Sequence, residues 1–313
     1  MKASRYIIFR KHRESDAAAG RPLSVLKLIG LTALVLAMTA FVAAGIRYAL
    51  FTQDLPSLKR FQSYYEAHPE PTRFYARNGE TLLFTLAYEN FEHRDLAICD
   101  EDGEGCFPHT FLESARITRE INIRQGNAVP TAEEMVRKVY AEEIEASRDP
   151  ELLVRILSRQ VRSIFGEEQL LTWYYNNAWF GQMAFGLDAA ARLYLDKAGS
   201  DLTDAECVLM SAIINAPMLN PIDSRGALRD SYLSQLSQLQ QAALFTDDEA
   251  ELLSRNNFII FEPPQYIGGS EPDIITRKAL DTILNRYGRE QVERGGLKVI
   301  TSEDIIQIGR AHV

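Results

Sequence analysis

The chain has 313 residues, of which 46% are hydrophobic and 25% are charged, and its formal net charge is −9. These values exclude a disordered chain and predict one sizeable folded domain with room for an additional segment. The acidic balance argues against nucleic acid as a partner, because phosphate backbones are bound by basic surfaces.

An uncharged apolar run, residues 28–46, has the length that a helix needs to cross a bilayer. A cleaved signal peptide and a buried core helix are the alternatives, but the run is longer than a usual signal core and begins late. Residues 1–27 contain seven basic side chains against two acidic ones, and positive flanks stay in the cytoplasm. We therefore predict a basic cytoplasmic tail, a single-pass transmembrane helix in the plasma (inner) membrane, and an extracytoplasmic main domain.

Residues 47–106 are predicted to form a juxtamembrane connector and a short β-hairpin. Two alternating apolar runs are joined by Asn78 and Gly79, a pair that favours a tight hairpin turn. Cys99 and Cys106 share an acidic, glycine-containing loop. A local disulfide and a metal site are both open for this pair, although no histidine spacing supports a metal. Cys207 lies in an apolar helical run and is expected in the core.

Residues 107–255 carry helical patterns. Thr110 and Glu113 have the spacing of a capping box, which predicts that a helix begins there and carries Glu120 near its end. Thr203 and Glu206 repeat this spacing before an apolar run, and a proline further on cannot continue that second helix. The sequence therefore predicts a mainly helical domain after the hairpin.

The segment 168–221 combines a helix, a glycine-punctuated aromatic turn, an alanine-rich helix and a capped helix. Its order of small and aromatic residues resembles the second half of the family 51 peptidoglycan glycosyltransferase (transglycosylase) domain of class A bifunctional penicillin-binding proteins. Asn176, Gly181, Gly186 and Lys197 are identified by this resemblance as structural motif residues. The matching positions are Tyr174, Asn176, Phe180, Gly181, Gly186, Ala190, Tyr194, Lys197, Leu202, Glu206, Pro217 and Pro221.

The resemblance covers residues 54–302 and implies a mainly α, lysozyme-like glycosyltransferase domain with a short β-hairpin, preceded by one transmembrane helix. In that layout residues 107–255 are the glycosyltransferase-like domain, and residues 256–302 are an exit segment towards a missing transpeptidase domain. The implied activity is the polymerisation of lipid II into glycan strands in cell-wall synthesis. The implied partners are lipid II, the nascent glycan strand, the plasma membrane and a cell-wall synthesis complex.

This reaction needs a carboxylate that accepts the proton of a sugar hydroxyl, and cations that balance the departing pyrophosphate. The cations are lysine or arginine side chains or a divalent metal such as Mg²⁺; the sequence leaves the cofactor unknown. Glu120 falls on the family's catalytic glutamate, and a solvated carboxylate at a helix end is the alternative. Ile121 stands where the family has an aspartate.

The resemblance places Arg137 near the pyrophosphate, with Lys138 beside it and Arg148 as a further substrate-binding candidate, although exposed helical charges would look the same. The family's second glutamate falls on Val154, which shares an apolar helix face with Leu157 and is expected in the core. Companion carboxylates from another register would be Glu142, Glu143 or Glu145.

Three functions therefore stay open at this point. The first is a peptidoglycan glycosyltransferase, and the main alternative is a catalytically inactive member that binds lipid precursor or serves as a scaffold. A lytic enzyme of similar fold is a more remote third alternative. Residues 303–313 are expected to be a non-native tail, because IGRAHV, residues 308–313, is also the translation of a common sequencing adapter.

Overall fold

The structure is a computed structural model that describes residues 21–52, 55–67, 70–89, 94–269 and 271–302. Most of the predicted cytoplasmic tail, residues 1–20, and the predicted non-native tail, residues 303–313, lie outside the described residues. The chain divides into two units, Met1–Ser57 and Leu58–Val313, each with its own internal contacts.

The first unit contains one long helix, α1, which spans Arg21–Thr52. Its segment Lys27–Arg47 is long and apolar enough to cross a membrane, by length and composition. The large apolar side chains of this segment are exposed, as expected of a helix whose partner is lipid. A signal sequence satisfies the same criterion, so the choice of an anchor over a signal and its orientation stay predictions.

The second unit opens with the predicted β-hairpin. Strands β1 (Thr72–Tyr75) and β2 (Leu82–Leu86) pair antiparallel. In the turn between them, the Asn78 side chain accepts backbone hydrogen bonds from Glu80 and Thr81, and Gly79 has φ of 70°. The hairpin prediction is confirmed.

A third strand, β3 (Lys298–Ile300), pairs parallel to β1, so the strand order is β2-β1-β3. The exit segment therefore returns to the hairpin that precedes the helical domain. The contact is close, because a Cβ on Gly295 would lie 1.6 Å from the carbonyl oxygen of Glu70. This sheet therefore joins the hairpin near the start of the second unit to the strand β3 near its end.

Helices make up most of the second unit, and in its main core Phe111, Tyr194, Val208 and Tyr232 are fully buried. This confirms a mainly α fold. The helices are α2 Leu58–Glu66, α3 His109–Arg124, α4 Thr131–Val139, α5 Ala141–Ala146, α6 Pro150–Asn177, α7 Leu187–Leu195, α8 Asp204–Asn215, α9 Arg225–Gln241, α10 Asp247–Ser254, α11 Ile274–Tyr287 and α12 Arg289–Arg294.

The start of α3 corrects one prediction. The helix begins at His109, and Thr110 lies inside its first turn, where its hydroxyl hydrogen-bonds the Asp204 carboxylate. The cap comes instead from Asp102, whose carboxylate accepts the backbone N–H of His109 at 2.8 Å. The capping box predicted for Thr110 and Glu113 is therefore wrong, because a loop carboxylate already satisfies the first amide.

The second predicted capping box is confirmed at the start of α8. The Glu206 carboxylate accepts the backbone N–H of Thr203 at 2.8 Å, and the reciprocal bond is also present. Glu206 additionally pairs with Lys197 at 2.7 Å. The helix ends at Asn215, just before Pro217 opens a short 3-10 turn.

The aromatic turn before α7 depends on a close backbone approach. Gly181 has φ of 86°, and a Cβ there would lie 2.6 Å from Asn220 Nδ2 and 2.7 Å from the carbonyl oxygen of Pro217. Only glycine fits this position without displacing the segment that follows α8. Upstream, the buried Asn176 amide bonds both backbone groups of Leu96, at 2.8 and 3.0 Å. Gly181 thus permits a close backbone approach and Asn176 links α6 to the segment before α3, and their assignment as family motif residues stays a prediction.

The loop before α3 is closed by a disulfide between Cys99 and Cys106. The structure thus realises the disulfide alternative for this pair. Cys207 is fully buried in the core, as expected, and burial raises the pKa of its thiol. The disulfide loop also contains Asp102, so it carries the cap of α3.

Candidate active site

Glu120 lies in a cavity of about 410 Å³ between α3 and α6, which we call the Glu120 cavity. Three arginines and three glutamates line this cavity, together with apolar side chains. Such a cavity offers a general base and cations side by side, which is what sugar transfer from a pyrophosphate requires. Its lining residues are Ile98, Leu112, Glu113, Arg116, Arg119, Glu120, Ile123, Pro130, Thr131, Arg162, Glu167, Leu171 and Tyr175.

The Glu120 carboxylate is held between two arginines of its own helix. It accepts from Arg116 at 2.9 Å and from Arg124 at 3.4 Å. Arg116 also binds Glu113 at 2.5 Å, and hydrogen bonds from its guanidinium, first to Glu113 and then to Glu120, raise the Arg116 pKa. The Glu120 side chain is 46% exposed, so these pairs orient it without closing it to a ligand.

Arg119, the neighbour of Glu120 in α3, contacts α6, α4 and the loop before α4. Its guanidinium donates to the Tyr174 hydroxyl at 2.7 Å and to the carbonyl oxygen of Val129 at 2.8 Å, and it forms an ion pair with Glu134. Only 13% of the Arg119 side chain is exposed. Burial, ahead of the Glu134 charge, raises the pKa of Tyr174, which keeps its phenol neutral. Arg119 therefore fixes α3 against α4 and α6.

Lys138 lies on the far side of this junction, in a cavity of about 260 Å³ that we call the Lys138 cavity. Its ammonium pairs with Glu290 of α12. Burial, followed by the charge of Arg294, lowers the Lys138 pKa. The lining residues are Tyr65, Glu134, Met135, Lys138, Tyr174, Asn177, Ala178, Trp179, Ile214, Pro217 and Glu290.

The predicted site residues are therefore not gathered in one cavity. Glu120 and Lys138 line different cavities, and Arg119 connects them, because it lines the first and binds two residues of the second. Arg137 pairs with Glu151 at 2.8 Å, and Arg148 is exposed beyond α5; neither lines either cavity. Their predicted roles in substrate binding stay predictions.

Val154 is fully buried in the first half of α6, as expected for its apolar helix face. That half ends at Gly166, whose φ of 80° interrupts the helix. Among the alternative companion carboxylates, Glu143 forms an ion pair with Arg60, and Glu142 and Glu145 are exposed. None of these three lines the Glu120 cavity.

The arginines that flank Glu120 were not singled out by motif comparison. Arg116 and Arg124 stand four residues before and after Glu120, so they share its helix face. This spacing is visible in the sequence once the helix is assigned. Sequence spacing could not indicate Arg162, because only the packing of α6 against α3 brings it into the Glu120 cavity.

No group of three His, Cys, Asp or Glu side chains that could hold a metal ion is present in the described part of the chain. The cations that line the Glu120 cavity are arginines.

Part of this chain is similar in sequence to known transglycosylases and penicillin-binding proteins. Residues 136–240 match the family model described as Transglycosylase. Penicillin-binding protein 1A of Rickettsia felis is 26% identical over 292 residues, covering 86% of this chain and 36% of the relative. Penicillin-binding protein 1A of Rickettsia prowazekii is 27% identical over 287 residues, covering 81% of this chain and 34% of the relative.

The chain thus spans about a third of the length of these curated relatives. Among solved structures, penicillin-binding protein 1A from Haemophilus influenzae aligns with a TM-score of 0.38 and 16% identity. That alignment covers 72% of this chain and 25% of the other. The similarity to transglycosylases and penicillin-binding proteins therefore rests on the sequence matches.

Proposed function

We propose that the chain is a peptidoglycan glycosyltransferase that polymerises lipid II into glycan strands. The observation that carries this proposal is the Transglycosylase match over residues 136–240, which contains the segment 168–221 whose residue order resembles the family. The cavity around Glu120 supports it, since it places a solvent-accessible carboxylate among arginines.

In the proposed reaction, the hydroxyl of one sugar attacks the anomeric carbon of another, and the bond from that carbon to the lipid pyrophosphate breaks. Glu120 accepts the hydroxyl proton, and the pyrophosphate leaves with the bonding electron pair. A positioned carboxylate base contributes roughly 10²- to 10⁴-fold to such a step. Arg116 is placed to orient Glu120, because it binds that carboxylate directly.

The charge that develops on the leaving pyrophosphate needs cations close to the base. Arg116 and Arg162 line the Glu120 cavity and are half-exposed, so both can turn towards an anion. Their present pairs with Glu113, Glu120 and Glu167 are solvent-exposed, and such pairs are worth only about 0–1 kcal/mol each. Arg137, Lys138 and Arg148 remain predicted contacts to more distant parts of the lipid-linked substrate.

The proposed setting follows from the apolar segment of α1. It anchors the chain in the plasma membrane with a cytoplasmic amino terminus, and the transferase-like domain faces the side on which glycan strands are assembled. Residues 107–255 form that domain, and residues 256–302 form the exit segment, whose strand β3 pairs with β1. Lipid II and the growing glycan strand are the substrates, and a cell-wall synthesis complex is the proposed assembly.

The test is polymer formation from purified lipid II by the full chain in detergent, resolved by gel electrophoresis of the glycan products. We expect polymer from the native chain. A folded chain that binds lipid II without extending it would instead establish the inactive, precursor-binding alternative. Thermal unfolding of the same sample shows whether the protein was folded.

A further inference from the structure

A third cavity, of about 710 Å³, opens between α12 and the helical core, and we call it the exit cavity. It continues from the Lys138 cavity, since Lys138, Trp179 and Glu290 line both. Three aromatic rings, those of Tyr64, Trp179 and Tyr287, contribute to its walls. Among its lining residues, Lys138 is the one already proposed as a substrate contact.

Arg294 is the unusual member of the exit cavity. Its guanidinium lies between two rings, 5.1 Å from the centre of Tyr64 and 4.9 Å from that of Phe185. It donates one hydrogen bond, to the carbonyl oxygen of Asn177 at 2.8 Å. Its Nε is buried without an acceptor, so part of its hydrogen-bonding capacity is unmet.

The other charges of the exit cavity are compensated. Lys138 is paired with Glu290, and Arg289 is held by Asp223 and Glu293 at 2.6 Å each. In the part of the chain that the structure describes, Arg294 forms no ion pair with a carboxylate. One positive charge is therefore left over in a recess that is only partly open to water.

The positive charge of Arg294 affects the pKa of a neighbouring side chain. Its charge is the second contribution, after burial, to the lowered pKa of Lys138, although Glu290 acts in the opposite direction. A partly buried cation without a counter-charge is costly unless an anion binds to it. Aromatic walls next to such a cation suit a ligand whose charged group is attached to a larger body.

We propose that the exit cavity is an anion site, in which Arg294, with Lys138 beside it, binds a phosphate or carboxylate group of a ligand that also contacts Trp179. The guanidinium and ammonium donate charge-assisted hydrogen bonds to the oxyanion, and Glu290 competes with it for Lys138. The site shares no lining residue with the Glu120 cavity, and it overlaps the proposed function only through Lys138, which is also a predicted substrate contact.

The probes are inorganic phosphate and N-acetyl-alanyl-alanine, a short peptide with a free carboxylate, titrated into the full chain in detergent at constant ionic strength with chloride. Trp179 is one of two tryptophans in the chain, so its fluorescence reports binding, and Trp179→Phe identifies its share of the signal. We expect a saturable change with at least one probe, and which probe binds more tightly distinguishes a phosphate from a carboxylate ligand.

Arg294→Gln should weaken this binding about tenfold, because a charge-assisted contact is lost. Arg286→Gln is the matched control, since Arg286 also lies over a tyrosine ring in the exit segment but does not line the cavity. Glu290→Gln should tighten binding, because it releases Lys138, and this variant serves if Arg294→Gln does not fold. The proposal is overturned if neither probe gives a saturable change, if Arg294→Gln binds as tightly as the native chain, or if Glu290→Gln does not tighten binding.

Discussion

Arg119 and Tyr174 form a stacked and hydrogen-bonded pair, with the guanidinium carbon 4.8 Å from the ring centre and 2.7 Å between Nη1 and the hydroxyl oxygen. This pair lies at the junction of the Glu120 and Lys138 cavities. Arg119 directly precedes Glu120, the proposed catalytic base, in α3, and its guanidinium is held by Tyr174 of α6. The geometry of the site therefore depends on a contact between segments that are far apart in the sequence.

Replacing Arg119 by Met should lower the free energy of unfolding by about 2 kcal/mol, because it removes a guanidinium that is only 13% exposed and donates to Tyr174 and Val129. The charge of Glu134 is then left without its partner. Arg116→Met on the same helix is the control, and its half-exposed pairs predict a loss of less than about 1 kcal/mol. Urea unfolding measures both, and equal losses for the two variants would contradict the role given to Arg119.

Gly181→Ala should destabilise the protein by about 3 kcal/mol or more, because its φ of 86° is strained for alanine and the new Cβ meets Asn220 and Pro217. Gly126→Ala has a similar φ of 77° with open space around the new Cβ, so it should cost only about 1 kcal/mol. Thermal unfolding compares the two. Similar costs would show that the close approach at Gly181 is not required.

The Lys197–Glu206 pair predicts a dependence of stability on pH. Burial alone would raise the Glu206 pKa, but hydrogen bonds from Lys197 and Thr203 outweigh it and lower that pKa below its ordinary value. A carboxyl whose pKa is lower in the folded state stabilises the protein above its unfolded pKa. That contribution is lost as the pH falls through the folded pKa.

Lys197→Met should therefore reduce stability at pH 7 by about 0.5–1 kcal/mol, and the difference from the native chain should shrink below about pH 4. Lys278→Met, which replaces an exposed lysine of α11, is expected to cost less at pH 7. Unfolding measured across pH 3–7 checks this. A constant difference over that range would mean that Lys197 does not act through the charge of Glu206.

Opening the Cys99–Cys106 disulfide should cost about 2 kcal/mol, since it closes only a short loop. The double variant Cys99→Ser/Cys106→Ser and reduction of the native chain with dithiothreitol should give the same loss. Dithiothreitol should leave the double variant unchanged. A further loss in the variant upon reduction would point to a target other than this bond.

Local sequence signals predicted the elements that depend on neighbouring residues. The Asn78–Gly79 hairpin and the cap at Thr203 are set by a few adjacent side chains, and both are present. The start of α3 was mispredicted because Asp102, from the disulfide loop, supplies the cap. The contacts of Arg119 with Tyr174 and of Lys138 with Glu290 join residues 55 and 152 positions apart, so no local pattern could reveal them.

The central claim is that Glu120 is the base of a glycosyltransferase, and the rate of lipid II polymerisation by Glu120→Gln measures it most directly. Glu113→Gln is the matched variant, because Glu113 lines the same cavity and binds the same Arg116. We expect Glu120→Gln to reduce the rate by about 10²-fold or more, while Glu113→Gln stays within about tenfold of the native chain. Equal rates for the native chain and Glu120→Gln would contradict this role for Glu120.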